Sequence, residues 1–130
     1  MITYKQTKDL SIVDLDNLTD AVGWGKRGEL WKEIIAKSSY IITAWDNDKI
    51  VGMGRIVEDG CMCMVYDIAV LPIHQNQKIG SKIMSSIILE IKEGSYQSVG
   101  LFAWNKNPIN ISFYQKFGFK QVDFGMKLNF

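Results

Sequence analysis

The run SYIITAWDNDKIVGMGRIVEDGCMCMVYDIAVLP, residues 39–72, constrains the fold more than any other part of the chain. It holds three segments rich in β-branched and aromatic residues, divided by the turn clusters DND and EDG. That is the pattern of an antiparallel meander whose strands pair in sequence order. Beyond Pro72 the period changes: Ile79, Ile83, Met84, Ile87, Ile88 and Ile91 recur at helical spacing as far as Gly94, a residue suited to a C-terminal cap. SVGLFAW then reads as a further short strand. A helix crossing over between two strands implies a mixed sheet covered by helices.

The flanks supply the remaining elements. ITYKQT reads as a first strand, and in SIVDLDNLTD the spacing of Ser11 and Asp14 is that of a capping box ahead of Ile12, Leu15 and Leu18. KRGELWKEIIAKS puts Leu30, Trp31, Ile34 and Ile35 on one helical face, after a connection loosened by the glycines of VGWGKRG. Asn107 and Pro108 make a helix start with proline at the first helical position, and Gly118 can close that helix. The tail FKQVDFGMKLNF reads as one or two final strands. The expected order is β-α-α-β-β-β-α-β-α-β, an α/β fold occupying residues 1–130 as one domain. With 47% hydrophobic and 22% charged residues, 130 residues suffice to bury a core.

Composition excludes several functions. Lysine and arginine number 15 against 14 acids and are scattered, so no basic face for nucleic acid is expected. The start MITYKQTKD lacks the apolar stretch of a signal peptide, and no segment approaches the roughly 18 apolar residues of a membrane span, so a cytoplasmic protein is expected. Cys61 and Cys63 lie two apart in a strand-like run and would share a face without bridging each other, which suits two small buried hydrophobes. The single histidine, His74, lies in the loop that follows, and a metal site is not expected. A homodimer is left open.

The stretch HQNQKIGSKI, residues 74–83, lies where the third meander strand hands over to the long helix. The free N–H groups of a helix start can seat an anion, phosphate above all. An ordinary solvated loop is the other reading.

The run VYDIAVLPIHQNQKIGSKIM, followed about thirty residues later by NPINISFYQKFGF, resembles the GNAT superfamily of acyl-CoA-dependent N-acyltransferases. The family loop reads Arg or Gln, two residues, Gly, one residue, then Gly or Ala. Here it is Gln75, Asn76, Gln77, Lys78, Ile79, Gly80, with Lys78 in place of the first glycine. The family helix Asn-x-x-Ala-x-x-Phe-Tyr-x-Lys-x-Gly-Phe is matched by Asn107, Phe113, Tyr114, Lys116, Gly118 and Phe119, with Asn110 in place of alanine.

The resemblance implies acetyl-CoA as co-substrate and transfer of its acetyl group to a primary amine of a small molecule or peptide. Backbone N–H groups from Gln75 to Ser81, with the positive end of the following helix, would face the pyrophosphate. Lys78 is expected in the right-handed helical region, with its ammonium free to reach phosphate. The preceding strand would splay from its parallel neighbour so that Ile68, Ala69 and Val70 bind the pantetheine arm like an added strand, with a bulge near Asp67 to Val70. The N–H of Ile68 is then the expected oxyanion donor.

Two side chains are the expected catalytic groups. Tyr114 matches the family tyrosine that protonates the departing sulfur, though an aromatic on the core face of a helix would look the same. Asp67 is the first candidate to take the amine proton, with a hydrogen-bonded structural carboxylate as its alternative; Glu58 and Glu29 are weaker candidates. Asn107 suits both a helix N-cap and a cofactor contact. Trp24 and Trp31 offer a wall for the amine or are simply core, while Trp45 and Trp104 have no functional case. Because Lys78 and Asn110 depart from the pattern, a non-catalytic acyl-CoA-binding regulatory module is the competing reading.

Overall fold

A computed structural model describes residues 1–103, 108–122 and 125–129. The sheet has five strands in the order β1-β2-β3-β4-β5. These are β1 (Ile2–Gln6), β2 (Tyr40–Asp46), β3 (Lys49–Glu58), β4 (Met62–Val70) and β5 (Ser98–Leu101). Each of the first four pairs antiparallel with the next, and β5 joins β4 in parallel. The helices are α1 (Ile12–Ala21), α2 (Leu30–Lys37), α3 (Ile79–Lys92) and α4 (Pro108–Gln115). The expected mixed sheet flanked by helices is therefore the observed architecture. Among the described residues no helix is long and apolar enough to cross a membrane.

Local chemistry accounts for most boundaries. The Ser11 hydroxyl accepts from the Asp14 N–H at 3.3 Å and starts α1, half of the capping box read from the sequence. Gly118, at φ +95°, ends α4: its N–H donates to the Gln115 carbonyl, the Phe119 N–H reaches back to the Tyr114 carbonyl, and the rings of Tyr114 and Phe119 meet 6.2 Å apart. That is a Schellman cap with its hydrophobic contact. Gly94 does something else. Its φ is not positive, and a Cβ there would lie 2.5 Å from the Tyr96 ring, so the glycine permits a close approach rather than a left-handed cap.

The core forms between α3 and the sheet. Ile79, Ile83, Met84 and Ile87 are buried, with Ile88 and Ile91 partly covered beside them, as the helical stripe required. Gly52 and Gly54, two apart on β3, bring α3 down onto the sheet: a Cβ on Gly54 would lie 2.7 Å from Ile68 Cδ1 and Ile87 Cδ1. Each fully buried aliphatic side chain contributes about 1.5–3 kcal/mol, so this seam is a principal source of stability.

Four expectations need correcting. Leu30 is exposed, so the buried face of α2 centres on Trp31 with Ile34 and Ile35 at its margin. Cys61 lies just outside β4 and is exposed, its thiol against the Gln97 side-chain oxygen; only Cys63 is a buried hydrophobe. A short 3-10 turn, Pro72–His74, intervenes before the loop. The described residues of the tail, 119–122 and 125–129, form no strand. Alternation gives that run strand propensity, yet a strand exists only by pairing, and Val122, Met126 and Leu128 are exposed rather than laid against a neighbour.

Candidate active site

The site begins with a register fault. On β3, Met53 opposes Ala69 and Arg55 opposes Tyr66, so Gly54 alone faces Asp67 and Ile68 of β4. This two-against-one count is a β-bulge, and Asp67 takes it up with φ +56°. It falls in the segment where the sequence led us to expect one. On its other side β4 pairs with β5 only from Met62 to Val65, so the edge beyond Val65 has no strand partner among the described residues.

Alternation decides which groups that edge presents. The Leu71 N–H donates to the Val51 carbonyl at 2.8 Å, on the β3 side. Val70, one residue earlier, therefore turns its N–H and C=O to the open edge, and Ile68 does the same. The Gln75 side-chain amide already donates to the Val70 carbonyl at 3.2 Å, so this edge accepts an amide donor. Ala69 is out of phase, in register with Met53, so its polar groups are not offered to an added strand.

A cleft of about 480 Å³ opens where β4 and β5 part. Tyr66, Asp67 and Ile68 line it from the bulge, Leu101 and Phe102 from the end of β5, Trp24 and Arg27 from the α1–α2 connection, and Asn110 and Tyr114 from α4. Tyr114 packs edge-on against Phe113 at 5.2 Å. Burial pushes its phenol above the ordinary value, so the hydroxyl keeps its proton at neutral pH.

Asp67 does not behave as a free base. Arg27 grips it with both terminal nitrogens, Nη1 to Oδ2 at 2.7 Å and Nη2 to Oδ1 at 2.9 Å, and Arg55 Nε donates to Oδ2 at 2.7 Å. Burial pushes the carboxyl pKa up, but these hydrogen bonds and the two guanidinium charges outweigh it and hold the group below the usual range. A carboxylate so coordinated is a poor proton acceptor, and its structural alternative is the better account. Glu58 and Glu29 are no substitutes. Glu58 accepts from the Gly60 N–H at a hairpin, Glu29 pairs with Lys32 at the surface, and neither lines the cleft.

Arg27 and Asp16 were not legible as site residues. Asp16, buried on α1, accepts from the backbone N–H of Arg27 at 2.8 Å and from Trp31 Nε1 at 2.8 Å, with the Gly28 N–H at 3.2 Å. The hydrogen bond from Arg27, supported by the others, holds its pKa below the ordinary value. Trp31 is therefore not a wall of the cleft. Its ring is fully buried, tied to Asp16, with the Arg27 guanidinium 4.7 Å from its centroid. Trp24 does line the cleft and is 40% exposed. The signal was an aspartate on the buried face of α1, eleven residues before an arginine in a glycine-rich connection, and only tertiary structure joins the two.

The loop from Gln75 to Ser81 leads into α3. Asn76 and Lys78 both lie in the left-handed region, at φ +65° and +63°. The right-handed conformation expected for Lys78 is thus replaced by one that glycine would occupy freely. No side chain caps the first turn of α3 and no acidic residue sits in it, so its N–H groups are left for an anion. Gln75, Asn76, Gln77 and Lys78 are exposed, Gly80 and Ser81 half-buried, and Ile79 adds its backbone while its side chain enters the core. Gly80 has no forbidding neighbour: a Cβ there would meet Phe113 at an ordinary 3.5 Å. Asn107 and Trp104 lie outside the described residues.

Comparison with known proteins agrees in sequence and in fold. Residues 37–121 match the family model described as Acetyltransferase (GNAT) domain. The "Uncharacterized N-acetyltransferase ycf52" of Porphyra purpurea is 32% identical over 127 residues, covering 93% of this chain and 71% of that protein. A GNAT family acetyltransferase from Streptococcus pneumoniae TIGR4 superposes with a TM-score of 0.84 at 31% identity, covering 99% of this chain and 98% of the other. A GNAT family acetyltransferase from Elizabethkingia anophelis, solved with acetyl-CoA bound, gives 0.74 at 25% identity, covering 94% and 78%.

Proposed function

The chain belongs to the GNAT acetyltransferase family, and from that premise we propose that it transfers the acetyl group of acetyl-CoA to a primary amine by direct attack within the cleft between β4 and β5. The observation that carries this reading is the convergence of the open β4 edge, the Ile68 backbone and the Tyr114 phenol on one cleft.

When bound, acetyl-CoA supplies the acyl group as a thioester. The residues that would hold it fit the task. The Val70 N–H and C=O and the Ile68 C=O present strand-like groups to the amide-bearing arm, with Gln75 giving up its bond to the Val70 carbonyl. The uncapped start of α3 and the loop from Gln75 to Ser81 face the pyrophosphate. The Ile68 N–H is held by the bulge and donates to the carbonyl oxygen as negative charge gathers there. The Tyr114 hydroxyl gives a proton to the sulfur as the carbon–sulfur bond breaks.

Removal of the amine proton falls to water. Among the described residues lining the cleft Asp67 is the sole carboxylate, and it is committed to Arg27 and Arg55. The amine must therefore attack from its neutral form. The test is a thermal-shift titration with acetyl-CoA, then a thiol-release assay over a panel of amines. A ligand at about 100 times its dissociation constant adds roughly 2.7 kcal/mol of stability, a readable rise in melting temperature. A rise with turnover supports the proposal. Binding with no turnover on any amine would leave the binding-module reading instead.

A further inference from the structure

Acyl transfer assigns work to the β4 edge, the loop and Tyr114, but none to the charge beside them. The charged side chains lining the cleft, among the described residues, are Arg27 and Asp67. A guanidinium has five N–H donors. Asp67 engages two of those on Arg27, and no other described side chain engages the rest. The charged groups coupled to this pair are Arg55 on β3 and Asp16 on α1. Two guanidiniums thus share the one carboxylate that lines the cleft among the described residues. Asp16 spends its oxygens on three N–H donors and does not itself line the cleft. The two indole rings beside the Arg27 guanidinium, 4.7 Å away at Trp31 and 6.0 Å at Trp24, fix its position while leaving its in-plane donors free.

This inventory separates acceptor classes. A polyamine or a peptide lysine in a basic context brings a second cation, which would need a carboxylate, and among the described residues the lining has only one, already coordinated. An amine that also bears an oxyanion meets guanidinium donors that Asp67 leaves unused. We propose that the acceptor carries, near its primary amine, a carboxylate or phosphate bound by the Arg27 N–H groups that Asp67 leaves free; this rests on the transferase reading above.

The test uses the full chain with acetyl-CoA and matched amine pairs. One arm compares α-amino acids with their carboxamides, the other phosphoethanolamine with ethanolamine, and a third offers spermidine and a lysine-containing basic peptide. In at least one of the first two arms kcat/KM should favour the anionic member by about tenfold or more, and the arm that does so identifies carboxylate or phosphate. In Arg27→Met, with folding checked by melting temperature, that preference should shrink to about threefold or less, while Arg27→Lys, which keeps the charge without the fork, retains part of it. Equal or better turnover of the neutral or cationic amines by the wild type would overturn this inference alone, and that comparison needs no variant. So would a preference unchanged in Arg27→Met. No turnover in any arm would overturn the transferase reading, and this inference with it.

Discussion

Lys78 holds a backbone conformation that costs an L-residue roughly 1–2 kcal/mol, at a position where glycine would pay nothing in the folded state. Replacing it, Lys78→Gly, should raise unfolding stability by about 0.5–1 kcal/mol in urea titration, the relief of strain being partly offset by the greater freedom of glycine in the unfolded chain. A loss of stability would contradict the strain. If its ammonium reaches phosphate, the same variant should bind acetyl-CoA more weakly at low salt than at high salt relative to wild type, because screening erodes exposed charge contacts. Tyr114 poses the sharper question, since a core aromatic and a general acid occupy the same helix face. Tyr114→Phe keeps the ring against Phe113 and Phe119 and removes only the hydroxyl. Turnover should fall by about a hundredfold or more while melting temperature and acetyl-CoA affinity stay near wild type. Turnover within about threefold of wild type, measured where chemistry limits the rate, would return Tyr114 to the core.

At the scale of elements, the bulge in β4 and the glycines of β3 form one device. Gly54 sits opposite the bulge because any side chain there would collide with Ile68, Ile83 and Ile87. Gly54→Ala should therefore cost about 1–3 kcal/mol and, by displacing Ile68, lower kcat more than it weakens acetyl-CoA binding. An alanine variant of wild-type stability and activity would contradict this reading. The glycine pattern V-G-M-G-R was visible in the sequence, but its purpose was not, because nothing local says that α3 descends onto those positions. Elements defined by their own period and caps, such as α1 with Ser11 and α3 with its isoleucine stripe, were legible. The tail was not: alternating residues at 119–122 and 125–129 say strand, and pairing, which alternation cannot supply, decides.

Across the whole molecule, the Arg27–Asp67–Arg55 cluster ties the α1–α2 connection to the sheet at the cleft. Its members lie far apart in sequence, so Asp67 was legible as a candidate but not as a coordinated carboxylate, and Arg27 was not legible at all. Tyr114 and the loop from Gln75 to Ser81 could be singled out as candidates because short motifs carry them. Asp67→Asn, which suits the left-handed backbone, leaves two guanidiniums without their counter-charge and should cost about 3–5 kcal/mol at pH 7. The sign with pH follows from the depressed pKa of Asp67. The folded state binds its proton less readily than the unfolded chain, so the stabilisation is present above the usual carboxylate value near 3.9 and is lost as pH falls through the lower folded value. The stability gap between wild type and Asp67→Asn should accordingly narrow below about pH 4 in urea titrations, and a gap constant from pH 7 to pH 3 would contradict the assignment. The central claim is that the parted strands β4 and β5 receive acetyl-CoA, and a crystal structure of the chain with CoA tests it most directly. The pyrophosphate should lie on the N–H groups between Gln75 and Ser81, with the amide arm paired with Ile68 and Val70, Gln75 moved off the Val70 carbonyl, and the sulfur beside the Tyr114 hydroxyl. CoA bound elsewhere, with the Gln75–Val70 bond intact and the cleft empty, would contradict it.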